Sequence, residues 1–309
     1  MTTSTSSSTQ WSPDQIADQT GRTALITGAN SGIGLETARW LATHGARVIL
    51  AGRTQAKLDE AVASITRAVP AALLDTLVLD LSDLSSIRDA AAPIAASGTL
   101  DLLVNNAGVM NLPERRTAKD GFEMTFGTNH LGHFALTAQL MPAIRRSARA
   151  RIVTVSAIAG TWPSGRLVDL QSERRYRPMG AYAKSKRANI VFTEHLAQHL
   201  AGTNIEAVVV HPGSAMTGLQ QHSQGAIAKR LSRVMERFLM GSADGAAWPS
   251  LYAATSDSVR SGQFIGPAGR VQTSGTPRPV RIPRGADSAA ETDRLWSESE
   301  RLTGVAFPL

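Results

Sequence analysis

From Thr23 onward the chain alternates short apolar runs, rich in β-branched residues, with longer stretches whose apolar residues recur at helical spacing. The predicted strands are Thr23–Thr27, Arg47–Ala51, Thr76–Leu79, Asp101–Val104, Arg151–Val155 and Ile205–Val210, with a seventh near Gln263–Ile265. Such largely apolar runs are typical of strands buried on both faces of a parallel sheet. The alternation with helices predicts right-handed crossovers. We therefore expect one α/β domain with a doubly wound parallel sheet of about seven strands and helices on both faces.

Helical spacing and loop-forming residues complete the expected order of elements. The predicted helices are Ile33–His44, Ala183–Leu200, Gln220–Gly241 and about Ala286–Leu302. Proline, arginine and glycine are frequent over Arg270–Gly285, which predicts a loop. The chain begins MTTSTSSSTQ, without the basic start and apolar stretch of a signal peptide. We expect residues 1–20 to be a disordered tail and residues 21–304 to form the domain.

Composition excludes several classes of function. The 309 residues are 42% hydrophobic and 18% charged, which is ordinary for a globular protein, and we find no apolar run long enough to span a membrane. The absence of cysteine excludes disulfides, thiolate metal sites and cysteine nucleophiles. The net charge of +7 comes from dispersed arginines and only 5% of residues are aromatic, so no nucleic-acid partner is expected. We expect a cytoplasmic protein, and a homo-oligomer remains open.

A glycine-rich segment follows the first predicted strand and opens the first predicted helix. We call this segment, Thr27–Gly34, the glycine turn; it reads TGANSGIG. Its glycines permit a tight turn, and backbone N–H groups at a helix N-terminus attract phosphate. The spacing differs from the G-x-G-x-x-G fingerprint, and the alternative is an ordinary strand-to-helix turn. The flanking strand and helix favour a Rossmann-type dinucleotide site.

The end of the second strand bears on the choice of cofactor. An NAD site usually places Asp or Glu there to bind the ribose 2′-hydroxyl. This chain has Gly52 followed by Arg53. A guanidinium can pair with a 2′-phosphate through two hydrogen bonds, whereas a carboxylate would repel it. The sequence therefore predicts that NADP(H) is preferred, with NAD(H) possible, unless Arg53 is only a solvated residue at a strand end.

Two further motifs follow the fourth and fifth strands. Asn105–Gly108, the amide loop, joins two side-chain amides to Ala107 and a glycine, which can fix a loop but also describes a common turn. Tyr182 and Lys186 are four residues apart in a predicted helix and share a face. A neighbouring ammonium and an oxidised nicotinamide ring would lower the tyrosine pKa from about 10 toward neutrality. Tyr182 is therefore a candidate acid–base.

Together these four motifs, in this order, resemble the short-chain dehydrogenases/reductases from about Gly21 to Gly304. The segments Thr128–Phe134 (TNHLGHF) and Asp169–Glu173 (DLQSE) are similar to the retinol-dehydrogenase-like branch. The combination of motifs is highly specific for the superfamily and less so for the branch. The resemblance implies an NAD(P)-dependent oxidoreductase of the alcohol dehydrogenase or carbonyl reductase type.

The resemblance also implies roles for individual residues. The cofactor phosphates would be surrounded by Gly28, Ser31, Gly32, Ile33 and Gly34. The adenine and its ribose would be bordered by Asp80, Leu81, Asn105 and Ala107. The nicotinamide side would be bound by Tyr182, Lys186 and the loop with Pro212 and Thr217. Asn129 would hold a water in a proton relay to Lys186. The alternative for Asn129 is a buried asparagine that satisfies helix backbone. The alternative for Pro212 and Gly213 is a simple Pro-Gly turn. No metal site is implied.

One residue departs from the family pattern. The active-site serine normally ends a Ser-Ser pair after the fifth strand, and Ala157 stands at that position. Ser156 precedes it, but successive side chains near a strand point to opposite faces. Losing such a hydrogen-bond donor costs about 10²- to 10³-fold in rate. Three alternatives remain open: Ser156 is shifted into place, Thr161 or Ser164 substitutes, or Tyr182 works alone.

The expected reaction is reversible hydride transfer between NADP(H) and a carbonyl or alcohol, with Tyr182 as proton donor and acceptor. The segments Met110–Arg116, Gly160–Gly180 and Ser214–Gly241 would face the substrate. Their mixture of apolar side chains and arginines suits a mid-sized, partly apolar molecule. One alternative is an NADP(H)-binding sensor or interaction protein with little turnover. Another is a non-redox lyase or epimerase on the same scaffold.

Overall fold

The computed structural model describes residues 10–213, 243–269, 272–283 and 288–308 of the 309-residue chain. Its strands form one sheet in the order β3-β2-β1-β4-β5-β6-β7-β8. Their bounds are β1 Thr23–Thr27, β2 Arg47–Gly52, β3 Leu73–Val78, β4 Leu102–Asn105, β5 Ala150–Val155, β6 Ile205–Val210, β7 Phe264–Pro267 and β8 Pro277–Val280. All neighbouring pairs are parallel except β7 and β8.

Helices cover both faces of the sheet. The long helices are α1 Gly32–Thr43, α2 Gln55–Ala68, α3 Leu84–Ser97, α4 Gly132–Arg145, α5 Pro178–His199, α6 Ala243–Thr255 and α7 Ala289–Thr303. One core cluster includes buried residues of α1, α2 and α6, represented by Leu41, Leu58 and Leu251. A second includes residues of α3, α4 and α5 and also Trp296 of α7. The predicted single doubly wound α/β domain is confirmed.

The edges of the sheet differ from the prediction. β3 begins at Leu73, and its end residues Leu73 and Val78 are exposed because it lies at the edge, so this strand is not buried on both faces. β8 is an eighth, antiparallel strand inside the segment expected to be a loop. Pro277 and Pro279 argued against a strand, since proline has no N–H to donate to a neighbouring strand. Proline is tolerated in an edge strand, which is the position of β8.

The N-terminal segment is also more ordered than predicted. Residues 1–9 lie outside the described residues, but residues 10–20 pack on the domain. Ile16 is buried in the first core cluster, and Trp11 makes edge-to-face contact with Trp248 and Tyr252 of α6. The prediction of a disordered tail is therefore wrong for residues 10–20. Burial of these apolar side chains offsets the entropy cost of ordering the segment.

The strand order reverses between β1 and β4, which are neighbours in the sheet. The chain runs from β1 outward through β2 to β3, and from β4 outward in the opposite direction. Such a reversal opens a crevice at the carboxyl ends of the two central strands. Here those ends are Thr27 and Asn105.

Candidate active site

The glycine turn has the backbone geometry that a dinucleotide site requires. Gly28 and Gly32 have φ of +67° and +57°, in the left-handed region that favours glycine. A side chain at Gly34 would lie 2.5 Å from the carbonyl oxygen of Gly28. Ser31, the N-cap of α1, is exposed and makes no capping hydrogen bond through its side chain. The first amides of α1 are thus left for an anion such as a pyrophosphate.

Thr27 joins the glycine turn to the amide loop. Its hydroxyl oxygen accepts hydrogen bonds from the backbone N–H of Asn106 and of Ala107, both at 2.9 Å. The Asn106 side chain donates to the Thr27 carbonyl oxygen at 2.8 Å. The two segments therefore form one rigid wall of the crevice, which the sequence pattern did not reveal.

Asn105 does not line this wall. It has no exposed surface, and its amide donates to the Thr137 hydroxyl of α4 at 3.0 Å. The prediction that Asn105 borders the adenine ribose is therefore wrong, because burial turns its amide into a tie between β4 and α4. Ala107, the other residue predicted there, is only half-buried.

The residues expected around the adenosine lie at the ends of β2 and β3. A side chain at Gly52 would approach Leu58 at 3.1 Å and the Asn30 side chain at 3.2 Å, so a carboxylate does not fit there without movement. Arg53 is exposed and makes no ion pair with another described residue. Asp80 accepts two hydrogen bonds from Ser82, at 2.9 and 2.7 Å, which fixes the turn after β3. These residues fit a nicotinamide dinucleotide.

Tyr182 and Lys186 lie on one face of α5, as predicted. The Lys186 Nζ is 5.8 Å from the centre of the Tyr182 ring and donates to the Val155 carbonyl oxygen at 2.9 Å. Burial raises the pKa of Tyr182 to about 12 and lowers the pKa of Lys186 to about 8. In the chain alone, burial therefore dominates the ionisation of both groups, and the expected lowering of the tyrosine pKa does not arise from Lys186 by itself.

Asn129 occupies a widened helical turn beside this pair. It is fully buried in a π-helix, Gly127–Leu131, that leads into α4. Its Oδ1 accepts from the Val109 N–H at 2.7 Å, and its Nδ2 donates to the Val109 carbonyl at 2.9 Å. Nδ2 also donates to the Ser185 hydroxyl at 2.9 Å, and that hydroxyl donates to the Tyr182 carbonyl at 2.8 Å. Asn129 thus connects Val109, which follows the amide loop, to Ser185 in the helical turn that begins at Tyr182. Such π-helical turns often occur at functional sites.

The missing serine is not replaced by its neighbour. Ser156 is buried, and its hydroxyl donates to the Lys186 carbonyl oxygen at 2.7 Å. Ala157 follows as the N-cap of a short 3₁₀ turn. The Thr161 hydroxyl donates to the Ile158 carbonyl at 2.7 Å, and Ser164 is exposed. Ser156 therefore has a structural role, and Thr161 already has a local acceptor.

Part of the predicted site lies outside the described residues. Thr217 and the substrate segment Ser214–Gly241 fall there. Pro212 is half-buried, and Gly213 has φ of +79° with its N–H 3.3 Å from the Nδ1 of His211. Sequence reasoning also missed Thr27 and Ser185, whose roles depend on contacts between distant segments. Within the described residues, no helix is both long and apolar enough to span a membrane.

Comparisons with known proteins agree with this geometry. A family model described as short chain dehydrogenase matches residues 22–227. Human retinol dehydrogenase 12 is 40% identical over 290 residues, covering 93% of this chain and 88% of the human protein. A crystal structure of an uncharacterised protein from Mycobacterium paratuberculosis is 39% identical, with a TM-score of 0.79, and covers 97% of this chain and 100% of the other. The RhlG complex with NADP from Pseudomonas aeruginosa is 25% identical, with a TM-score of 0.63, covering 80% and 94%.

Proposed function

Because the chain belongs to the short-chain dehydrogenase family, we propose that it catalyses reversible hydride transfer between NADP(H) and a carbonyl or alcohol. The observation that carries the proposal is the placement of Tyr182, Lys186 and Asn129. Asn129 bonds the Ser185 hydroxyl, which donates to the Tyr182 carbonyl. Lys186 Nζ lies 5.8 Å from the centre of the Tyr182 ring and bonds the carbonyl oxygen of Val155, at the carboxyl end of β5. The first amides of α1, which have no side-chain cap, follow β1 at the carboxyl edge of the sheet.

The protein's own contribution is proton transfer at the substrate oxygen. When bound, NADP(H) supplies or accepts the hydride at C4 of its nicotinamide ring. In reduction, the Tyr182 hydroxyl donates a proton to the oxygen of the carbonyl; in oxidation it takes the alcohol proton. A tyrosine with a pKa raised to about 12 by burial releases this proton only if positive charge is close. The Lys186 ammonium and an oxidised nicotinamide ring would together supply such charge. Lys186 would also return a proton to Tyr182, with Asn129 connecting the pair to water.

The preference for NADP(H) rests on Gly52 and Arg53. The crowded space at Gly52 disfavours the carboxylate that would bind a ribose 2′-hydroxyl. The exposed Arg53 guanidinium, with no ion-pair partner among the described residues, can take a 2′-phosphate. RhlG, which is similar to this chain, has been solved as an active-site complex with NADP.

For the substrate we propose an apolar aldehyde, ketone or alcohol of medium size. Human retinol dehydrogenase 12 is named for retinol, a long apolar alcohol. Here, two predicted substrate segments are bonded together, Arg115 to the Gln171 carbonyl at 2.9 Å and the Tyr176 hydroxyl to the Leu112 carbonyl at 2.8 Å. The second segment also exposes the apolar side chain of Trp162.

The proposal is tested by following NADPH absorbance with retinal, a medium-chain aldehyde and a small polar ketone, each repeated with NADH. Consumption of NADPH with the apolar carbonyls is expected, and slower consumption with the polar ketone. The sensor alternative, which rests on Ala157, predicts tight NADPH binding without turnover. The lyase or epimerase alternative predicts product formation without a change in NADPH. Either outcome would replace the proposed reaction.

A further inference from the structure

A histidine outside the predicted catalytic group contacts the main chain of Asn129. His133 is buried in the first turn of α4, with its Nδ1 3.0 Å from the main-chain carbonyl oxygen of Asn129. Its Nε2 lies 2.9 Å from the hydroxyl oxygen of Thr27, at the carboxyl end of β1. One imidazole therefore bridges the phosphate-side wall of the crevice and the residue that contacts the Tyr182 turn.

The hydrogen bonds at Thr27 determine which ring nitrogen carries the proton. The Thr27 oxygen already accepts two backbone N–H groups, from Asn106 and Ala107. A hydroxyl has two lone pairs and one proton, so its proton is left to be donated. The nearest acceptor is His133 Nε2 at 2.9 Å, compared with 3.4 Å to the Val104 carbonyl. Nε2 is then unprotonated, and Nδ1–H donates to Asn129.

The Asn129 carbonyl lies in the π-helical turn that leads into α4. It belongs to a π-turn in which the Gly132 N–H bonds Gly127, five residues earlier. Burial lowers the pKa of His133 to about 4; the hydrogen bond to the Asn129 carbonyl opposes this shift, and the charge of Lys186 adds to it. The imidazole is thus neutral at physiological pH, and it bonds the main-chain carbonyl of Asn129 while the side-chain amide bonds Val109 and Ser185.

We propose that His133, as the Nδ1–H tautomer, is a positioning residue that orients the Asn129 peptide and couples it to the glycine turn through Thr27. This rests on the proposed reaction, in which Asn129 connects Tyr182 and Lys186 to water. Only 1% of the His133 surface is exposed, so its ring does not line the crevice. Its effect is therefore expected on turnover and not on substrate affinity.

Three variants separate the two hydrogen bonds. His133→Asn places an amide N–H near the position of Nδ1, whereas His133→Gln places its polar group near Nε2 and His133→Phe removes both. We expect the Asn variant to keep kcat within about threefold. The Gln and Phe variants should lose about tenfold or more in kcat, the value of one hydrogen bond, with little change in KM or NADPH affinity. His130→Phe is the matched control: His130 is equally buried in the π-turn, but its ring bonds Ser299 at 3.0 Å.

The tautomer is tested without turnover by nitrogen NMR of the wild-type chain labelled in its histidine rings, at neutral pH. The His133 signals, assigned by their loss in the Asn variant, should show a protonated Nδ1 and an unprotonated Nε2. A protonated Nε2 overturns the proposal whether or not the variants fold. Equal turnover in all three variants, or equal loss in all three, also overturns it while the wild-type reaction stands. A wild-type chain without turnover removes the proposed function itself and the positioning role with it.

Discussion

The hydroxyl of Ser156 donates a 2.7 Å hydrogen bond to the main-chain carbonyl oxygen of Lys186, inside the core and away from solvent. This bond ties the end of β5 to the middle of α5, one helical turn after Tyr182. It also uses the hydroxyl proton that a catalytic serine would donate to substrate. Ala157, the next residue, has no hydroxyl, and the Ser156 hydroxyl is already used. Neither residue therefore donates a hydrogen bond to the substrate oxygen.

Ser156→Ala should accordingly affect stability more than catalysis. It leaves the Lys186 carbonyl without this partner, which should lower the free energy of unfolding by about 1–3 kcal/mol. Urea denaturation measures that loss, and kcat per folded molecule should stay within about threefold. A variant of normal stability that has lost its activity would show instead that Ser156 acts in the reaction.

Ala157→Ser should raise turnover. The added hydroxyl would donate to the substrate oxygen as charge develops there, an interaction worth up to about 10²- to 10³-fold. The gain is expected in kcat and not in KM. Ala157→Cys, similar in size but a weak donor, is the control. An unchanged or lower rate in the serine variant would mean that the added hydroxyl does not reach the oxygen or that another donor already serves it.

Local patterns in the sequence predicted much of the fold, and contacts between distant segments account for what was missed. β1 and β6 have the predicted bounds because β-branched, apolar residues define a buried central strand. β8 was missed because the prolines in Pro277–Val280 are tolerated only in an edge strand, and the sequence alone does not show which strands form the edges of the sheet. Tyr182 and Lys186 follow from helical spacing. Asn105, predicted at the cofactor, is buried, and its amide donates to Thr137 of α4; no short motif encodes that pairing.

Arg53 should determine the cofactor preference. Arg53→Ala should weaken NADPH binding by about 1.5–3 kcal/mol, the value of a charge-assisted hydrogen bond, and leave NADH nearly unchanged. Fluorescence titration with both cofactors measures the difference. Arg67→Ala removes an equal charge from the exposed surface of α2 and serves as control. Equal losses for NADPH and NADH in the Arg53 variant would remove it from recognition of the 2′-phosphate.

The buried histidines should make the fold sensitive to acid. Burial lowers the pKa of His130 to about 3 and that of His133 to about 4, while both have their ordinary pKa near 6.5 when unfolded. Below pH 6.5 the unfolded chain binds more protons, so stability is complete above that pH and falls as the pH decreases toward the folded pKa values. Each of the two histidines should lower the free energy of unfolding by about 2 kcal/mol at pH 5.

Urea denaturation at pH 7.5 and pH 5 compares wild type with His130→Phe, which preserves the aromatic contact with Phe126. The variant should lose less stability on acidification than wild type by about the contribution of one histidine. An identical pH dependence in the two proteins would show that His130 is not the group that resists protonation.

The most direct test of the central claim is the turnover of Tyr182→Phe at saturating NADPH, with cofactor affinity measured in the same preparation. The substitution preserves the ring and removes only the hydroxyl, so NADPH affinity should survive. Turnover should fall by about 10²- to 10⁴-fold, the usual contribution of a general acid–base. Tyr252→Phe, which loses an exposed hydroxyl contact with Ser258, should keep its rate. A Tyr182→Phe enzyme that retains more than about a tenth of wild-type turnover would contradict its role as proton donor and acceptor.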